Sequence, residues 1–118
     1  MHKGEIWLIN LDPTIGAEIR KTRPAIIVSE DAIGILPLRV IVPLTDWKER
    51  YEIAPWLVSI SPDRQNGLTK HSAADALQIR SVSHSRFVQY IGSLDNETLI
   101  KILNAIQIVI GWPDSERG

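Results

Sequence analysis

The chain has 118 residues and no cysteine, with 44% hydrophobic residues, 23% charged residues and a formal net charge of −1. That is one domain's worth of chain, too apolar for disorder, and its apolar runs fall short of the ~20 residues a membrane span needs. Disulfides, thiolate metal sites and cysteine nucleophiles are excluded, and the balanced charge leaves any nucleic-acid contact to local patches.

Met1 to Glu5 leads straight into a strand-like pattern without a basic-then-apolar export segment, so a cytoplasmic protein is expected. Residues 5–11 (EIWLINL) form the first β-rich run and end at the turn dipeptide Asp12-Pro13. Residues 24–29 (PAIIVS) are a continuous apolar run, as in a strand buried on both faces. Residues 39–44 (RVIVPL) make a third strand, with Pro43 marking an edge or a bulge. Further strands are expected at 56–60 (WLVSI), 76–79 (ALQI) and 87–91 (FVQYI). Short strands with Gly- and Pro-bearing loops point to a small barrel or sandwich.

The last third differs. Leu99, Ile102, Leu103, Ile106, Val109 and Ile110 recur at helical spacing, so one helix is expected over 95–110. Asp95 is placed to cap its N-terminus, Gly111 its C-terminus, and Pro113 ends it. Ile100 and Ile108 widen the stripe, enough for a sheet on one side and a partner subunit on the other. The expected organisation is a single domain over 1–112 and a frayed tail over 113–118. Asn66-Gly67 signals a turn in the loop 62–72.

His2, His71 and His84 are scattered, and no metal-ligand spacing, phosphate loop or Ser-centred nucleophile elbow is present. What remains gathers at two strand ends. Arg23 precedes Pro24, which stiffens the strand entrance, and Thr45 follows RVIVPL. A guanidinium fork and a hydroxyl at neighbouring strand ends suit an anion such as phosphate. Taken alone, an Arg-Pro pair at a strand start is more often structural, and a Thr after a strand is more often a turn residue.

The chain resembles the MazF/PemK family of toxins from bacterial toxin–antitoxin pairs. The likeness runs through GEIWLINLDPTIGAEIRKTRPAIIVS at 4–29 and VIVPLT at 40–45. It continues through NGLTKHSAADALQIRSV at 66–82 and FVQYIGSLDNETLIKILNAI at 87–106. Its most specific parts are Asp12, Pro13, Gly16 and Glu18 followed by Arg23-Pro24, and then Gly67, Leu68, Ser72, Gln78 and Arg80.

The resemblance implies a compact SH3-like β-barrel that pairs as a homodimer. It implies a metal-independent, sequence-specific endoribonuclease without cofactors, acting on single-stranded RNA. Arg23 and Thr45 are the family's catalytic pair. The RNA's own 2′-OH would attack the adjacent phosphorus, giving a 2′,3′-cyclic phosphate and a 5′-OH end. Glu18 would take a proton or orient Arg23, and His71 would join proton transfer or simply belong to its loop. Some members carry an acidic residue just before the Gln of the Q-x-R block; Leu77 stands there in this chain, with Asp75 two residues earlier.

RNA would contact Arg20, Lys21, Lys48, Arg50, Gln78 and Arg80, with Trp47 or Tyr51 stacking a base. The partner implied is a co-produced antitoxin whose flexible acidic segment covers the RNA groove. Two other readings share the fold: a gyrase poison of the CcdB type, and a barrel that binds RNA or protein without cutting. The gyrase poisons end in Trp-Gly, whereas here Trp112 follows Gly111 and a charged tail comes after it.

Overall fold

The structure, a computed structural model, describes residues 1–111. Its elements in chain order are β1 (Glu5–Asn10), β2 (Thr22–Ile27), β3 (Leu38–Asp46), β4 (Leu57–Ile60), β5 (Ser72–Asp75), β6 (Arg80–Ser83), β7 (Phe87–Ser93) and α1 (Asn96–Ile110). The strands form one antiparallel sheet in the order β4-β5-β3-β2-β1-β7, with β6 also beside β3. The expected β fold with a C-terminal helix is thus observed. Among the described residues no pairing joins β4 to β7, so hydrogen bonds do not close the barrel.

Alternate residues of the central strands feed two cores. Ile26, Val42 and Leu44 face Ile102 and Ala105 of α1, while Ala25, Ile27 and Ile41 pack with Ile9, Leu11 and Val82 on the other side. The unbroken apolar run of β2 is the signature of this double burial.

Three expectations are corrected. Pro43 does not mark an edge, because β3 is an interior strand. It pairs with β6 over residues 38–41 and with β5 over 44–46. Pro43 falls at the change of partner, where its missing N–H leaves no ladder position empty. The strand expected at 76–79 is instead a short 3₁₀ helix, Ala76–Gln78, flanked by β5 and β6. Asp75 interrupts the strand by accepting a hydrogen bond from the Leu77 N–H at 3.1 Å, an alternative partner to the ladder. Asp95 does stand at the N-cap of α1, but its side chain makes no capping bond, and only its carbonyl accepts from Leu99 at 3.1 Å.

Gly111 ends α1 in the left-handed conformation and returns its N–H to the Gln107 carbonyl, as expected. Trp112 and the tail expected over 113–118 lie outside the described residues. No helix among those described is long and apolar enough to cross a membrane.

Candidate functional site

The sheet register brings Arg23 and Thr45 together. Ala25 pairs with Pro43, Ile26 with Val42 and Ile27 with Ile41. Stepping this register two residues toward the start of β2 sets Arg23 opposite Thr45. Both lie within strands: β3 runs on through Asp46, so Thr45 is held in the ladder rather than following it. Thr45 pairs in turn with Ala73, and Ala73 with Ser59. Directly paired residues share a face, so Thr45, Ala73 and Ser59 form one row across three strands, and Arg23 lies where the β2–β3 register, continued two residues past its last pair, would extend that row. A cleft of about 480 Å³ opens at this end of the sheet, lined in part by Arg23, Thr45, Asp46 and Lys70.

Arg23 is half-buried, and among the described residues its side chain reaches only the Arg20 carbonyl, at a long 3.4 Å. Most of its donor fork is therefore unspent. Arg20, Lys21, Lys48 and Arg50 are exposed, on the loops after β1 and β3. Lys21 adopts a left-handed backbone (φ 71°), held by its N–H to Asp12 and by its carbonyl, which accepts from Leu11. That bend turns the chain sharply into β2 two residues before Arg23.

The remaining expected residues do different work. Glu18 lies in a neighbouring cleft of about 530 Å³ with Ile19, Gln78 and Arg80, and its carboxylate accepts from the Ile15 N–H at 2.6 Å. It closes its own loop and makes no contact that would orient Arg23. Gln78 accepts from the Ile19 N–H at 2.5 Å and donates to the Ala17 carbonyl at 3.3 Å, while Arg80 donates to the Leu11 carbonyl at 3.0 Å. Both clamp the loop between β1 and β2. Arg86 adds a third clasp on the Asn10 and Asp12 carbonyls.

Gln78→Ala is thus expected to loosen residues 17–19 ahead of Arg23, raising amide exchange there by about tenfold, since one or two bonds of ~1 kcal/mol each are lost. Hydrogen-exchange rates of those amides, unchanged in the variant, would refute the clamp.

Trp47 is half-buried, stacked on the His71 ring with centroids 5.2 Å apart and met edge-on by Tyr51 at 5.8 Å. Arg50 in turn lies over the Tyr51 ring at 5.5 Å. Among the described residues no three His, Asp or Glu converge as a metal site would require.

A family model described as "PemK-like, MazF-like toxin of type II toxin-antitoxin system" matches residues 2–110. The chain belongs to this family. Its relatives include Endoribonuclease MazF9 of Mycobacterium tuberculosis, 32% identical over 92% of this chain and 94% of that protein. Another is Endoribonuclease PemK of Escherichia coli, 31% identical over 84% of this chain and 77% of that one. Among solved structures, MazF from Deinococcus radiodurans superposes with a TM-score of 0.79 at 22% identity, covering 94% of this chain and 96% of that one. A mycobacterial endoribonuclease in complex with its cognate antitoxin gives 0.76 at 23% identity, covering 97% and 98%. These two establish the fold as that of the MazF toxins.

One residue near Arg23 and Thr45 was noted in the sequence only for standing two positions before Leu77, with no role given to it. Asp75 ends β5 on the face that Thr45 and Ala73 share, half-buried, with Gln78 Nε2 donating to it at 3.3 Å. Burial raises its pKa, partly offset by the Leu77 N–H and Gln78. The raised value means the folded state favours the protonated form. Its stabilising contribution is present below the ordinary aspartate value and is lost as pH climbs through the raised one. Relative to Asp75→Asn, the wild type should therefore lose stability across that window and run parallel above it. Urea midpoints at a series of pH values check this, and a difference that stays flat with pH would exclude it.

Proposed function

We propose that this chain is the endoribonuclease toxin of a type II toxin–antitoxin pair, cutting single-stranded RNA in the cytoplasm as one domain over residues 1–112. The observation that carries the reading is that Arg23 and Thr45, from the neighbouring strands β2 and β3, line one cleft in a chain of this family. The curated relatives MazF9 and PemK are both named endoribonucleases.

In this reading the phosphodiester lies across the pair. The 2′-OH loses its proton and attacks the adjacent phosphorus, the bond to the 5′-oxygen breaks, and that oxygen takes up a proton. A 2′,3′-cyclic phosphate and a 5′-OH remain. Charge gathers on the non-bridging oxygens as the 2′-oxygen attacks, and the guanidinium of Arg23 with the hydroxyl of Thr45 meets it with donors fixed in the ladder. Arg23 stabilises charge rather than carrying protons, since a guanidinium does not deprotonate at neutral pH. Cleavage needs no metal ion when fixed donors hold the phosphate. Holding the 2′-OH in line supplies a further share of the rate.

Two partners complete the proposal. A cognate antitoxin occupies the RNA-binding face, and a second copy of the chain packs on the apolar surface left by α1, where Ile100, Ile108 and Ile110 are exposed. The test is incubation of a long single-stranded RNA with the protein in EDTA, followed by mapping of the product ends. Discrete cuts with 5′-OH ends support the reading. Intact RNA with folded protein would overturn it in favour of a gyrase poison or a non-cutting binding barrel.

A further inference from the structure

The face that carries Arg23 and Thr45 continues into a polar and aromatic cluster. Ser59 on β4 and His71 just before β5 join side chains, Oγ to Nε2, at 2.5 Å, and both residues are exposed. The His71 ring lies nearly parallel to Trp47, at 18°, and the Trp47 N–H donates to the His71 carbonyl at 3.0 Å. That backbone bond extends the pairing of Thr45 with Ala73 by one more step, so Trp47 and His71 stand side by side on the same face.

Thr45 and Ser59 belong to one row with only Ala73 between them. Two strand spacings of about 4.8 Å separate them. This is comparable with the reach from the phosphate to the base edge within one nucleotide, and the intervening residue contributes only a methyl group.

An exposed pair of this kind adds little to stability. Its chemistry suits recognition better. Whichever group donates, the neutral pair keeps one free donor and one free acceptor: Nδ1–H beside the Ser59 oxygen when the hydroxyl donates, or a bare Nδ1 beside the Ser59 O–H when the ring donates. Single-stranded RNA is read by just such donor and acceptor sets on base edges, next to an aromatic wall. Trp47 supplies that wall, oriented by His71.

We propose that Ser59, His71 and Trp47 form a nucleobase subsite, which reads the nucleotide beside the cut and so sets part of the cleavage sequence. The proposal deepens the ribonuclease reading above and rests on it. Ser59 and His71 touch the base and not the scissile phosphate, so they are specificity residues.

Two assays on wild type, Ser59→Ala and His71→Asn test it. Ends produced from a randomised RNA pool should show a base preference at one position next to the cut. That preference should fall about tenfold in either variant, the discrimination that a lost polar contact typically costs. Equilibrium binding of oligo-U, -A, -C and -G should show the same loss of selectivity. Cleavage that slows equally at every sequence, or a preference unchanged in both variants, overturns the subsite. Base-selective binding that both variants lose, with no cleavage by wild type, keeps the subsite and fells the ribonuclease reading instead. Because both side chains are exposed, melting curves close to wild type are expected, and circular dichroism confirms that each variant is folded.

Discussion

Arg23→Ala is expected to lower kcat for RNA cleavage by about 10²–10³-fold, the usual cost of removing one donor aimed at developing oxyanion charge. The fold should survive it. Among the described residues Arg23 makes only one long hydrogen bond, 3.4 Å to the Arg20 carbonyl, so little of the described structure depends on the guanidinium. Its backbone stays in place because Pro24 restricts the residue before it, and because Arg23 pairs with Ile9 of β1.

Arg23→Lys restores the charge without the planar fork and should recover only part of the loss. Thr45→Ala should cost a similar factor. The double variant should cost less than the product of the two, because both side chains serve one phosphate. Single-turnover rates on a short fluorogenic RNA, set beside melting curves, separate these outcomes. A fall of less than about threefold in Arg23→Ala would remove the guanidinium from the chemistry.

How much of this site could be read in advance follows the range of the contacts. The buried β2 run and the apolar stripe of α1 are local patterns, and both elements stand where those patterns put them. The order of the Arg-Pro pair, the VIVPLT run and the Q-x-R block carried the family. What escaped were contacts between residues far apart in the chain. Gln78 looks like an RNA-facing residue until Ala17 and Ile19, about 60 positions earlier, take its amide. Arg80 likewise reads as a free cation, yet it holds the Leu11 carbonyl 69 residues away.

Local competition misled in another way. ALQI has a strand's composition, but the carboxylate of Asp75 offers the Leu77 N–H a nearer partner than any neighbouring strand. The same carboxylate lies on the face that carries Thr45, which only the register of β3 with β5 reveals.

Gly67→Ala should be the most destabilising single change near the site. Gly67 holds φ at +66°, and a Cβ there would sit 2.4 Å from the Ile91 carbonyl oxygen and 3.1 Å from Ile91 Cγ2. The obstacle is backbone of β7, so no rotamer change relieves it. Nor can the loop easily withdraw. Asn66 is buried and ties it down, accepting from the Asp63 and Leu68 N–H groups at 3.0 Å each and donating to the Ser61 carbonyl at 2.9 Å.

A left-handed non-glycine residue costs about 1–2 kcal/mol, and overpacking about 1–3 kcal/mol more. The expected loss is therefore about 2–5 kcal/mol, enough to lower the melting temperature by about 10 °C or more. Gly111 provides the comparison, because it has nearly the same φ of +65° and, among the described residues, nothing within 4 Å of the Cβ it would gain. Gly111→Ala should show the backbone cost alone. Equal shifts in the urea midpoint for the two variants would mean that β7 yields to the new methyl group. A larger shift for Gly67→Ala should bring weaker RNA cleavage with it, because Gly67, Leu68 and Lys70 line the cleft that Arg23 and Thr45 share. The packing of this loop against β7 would then be part of what holds Arg23 and Thr45 at the geometry that cleavage requires.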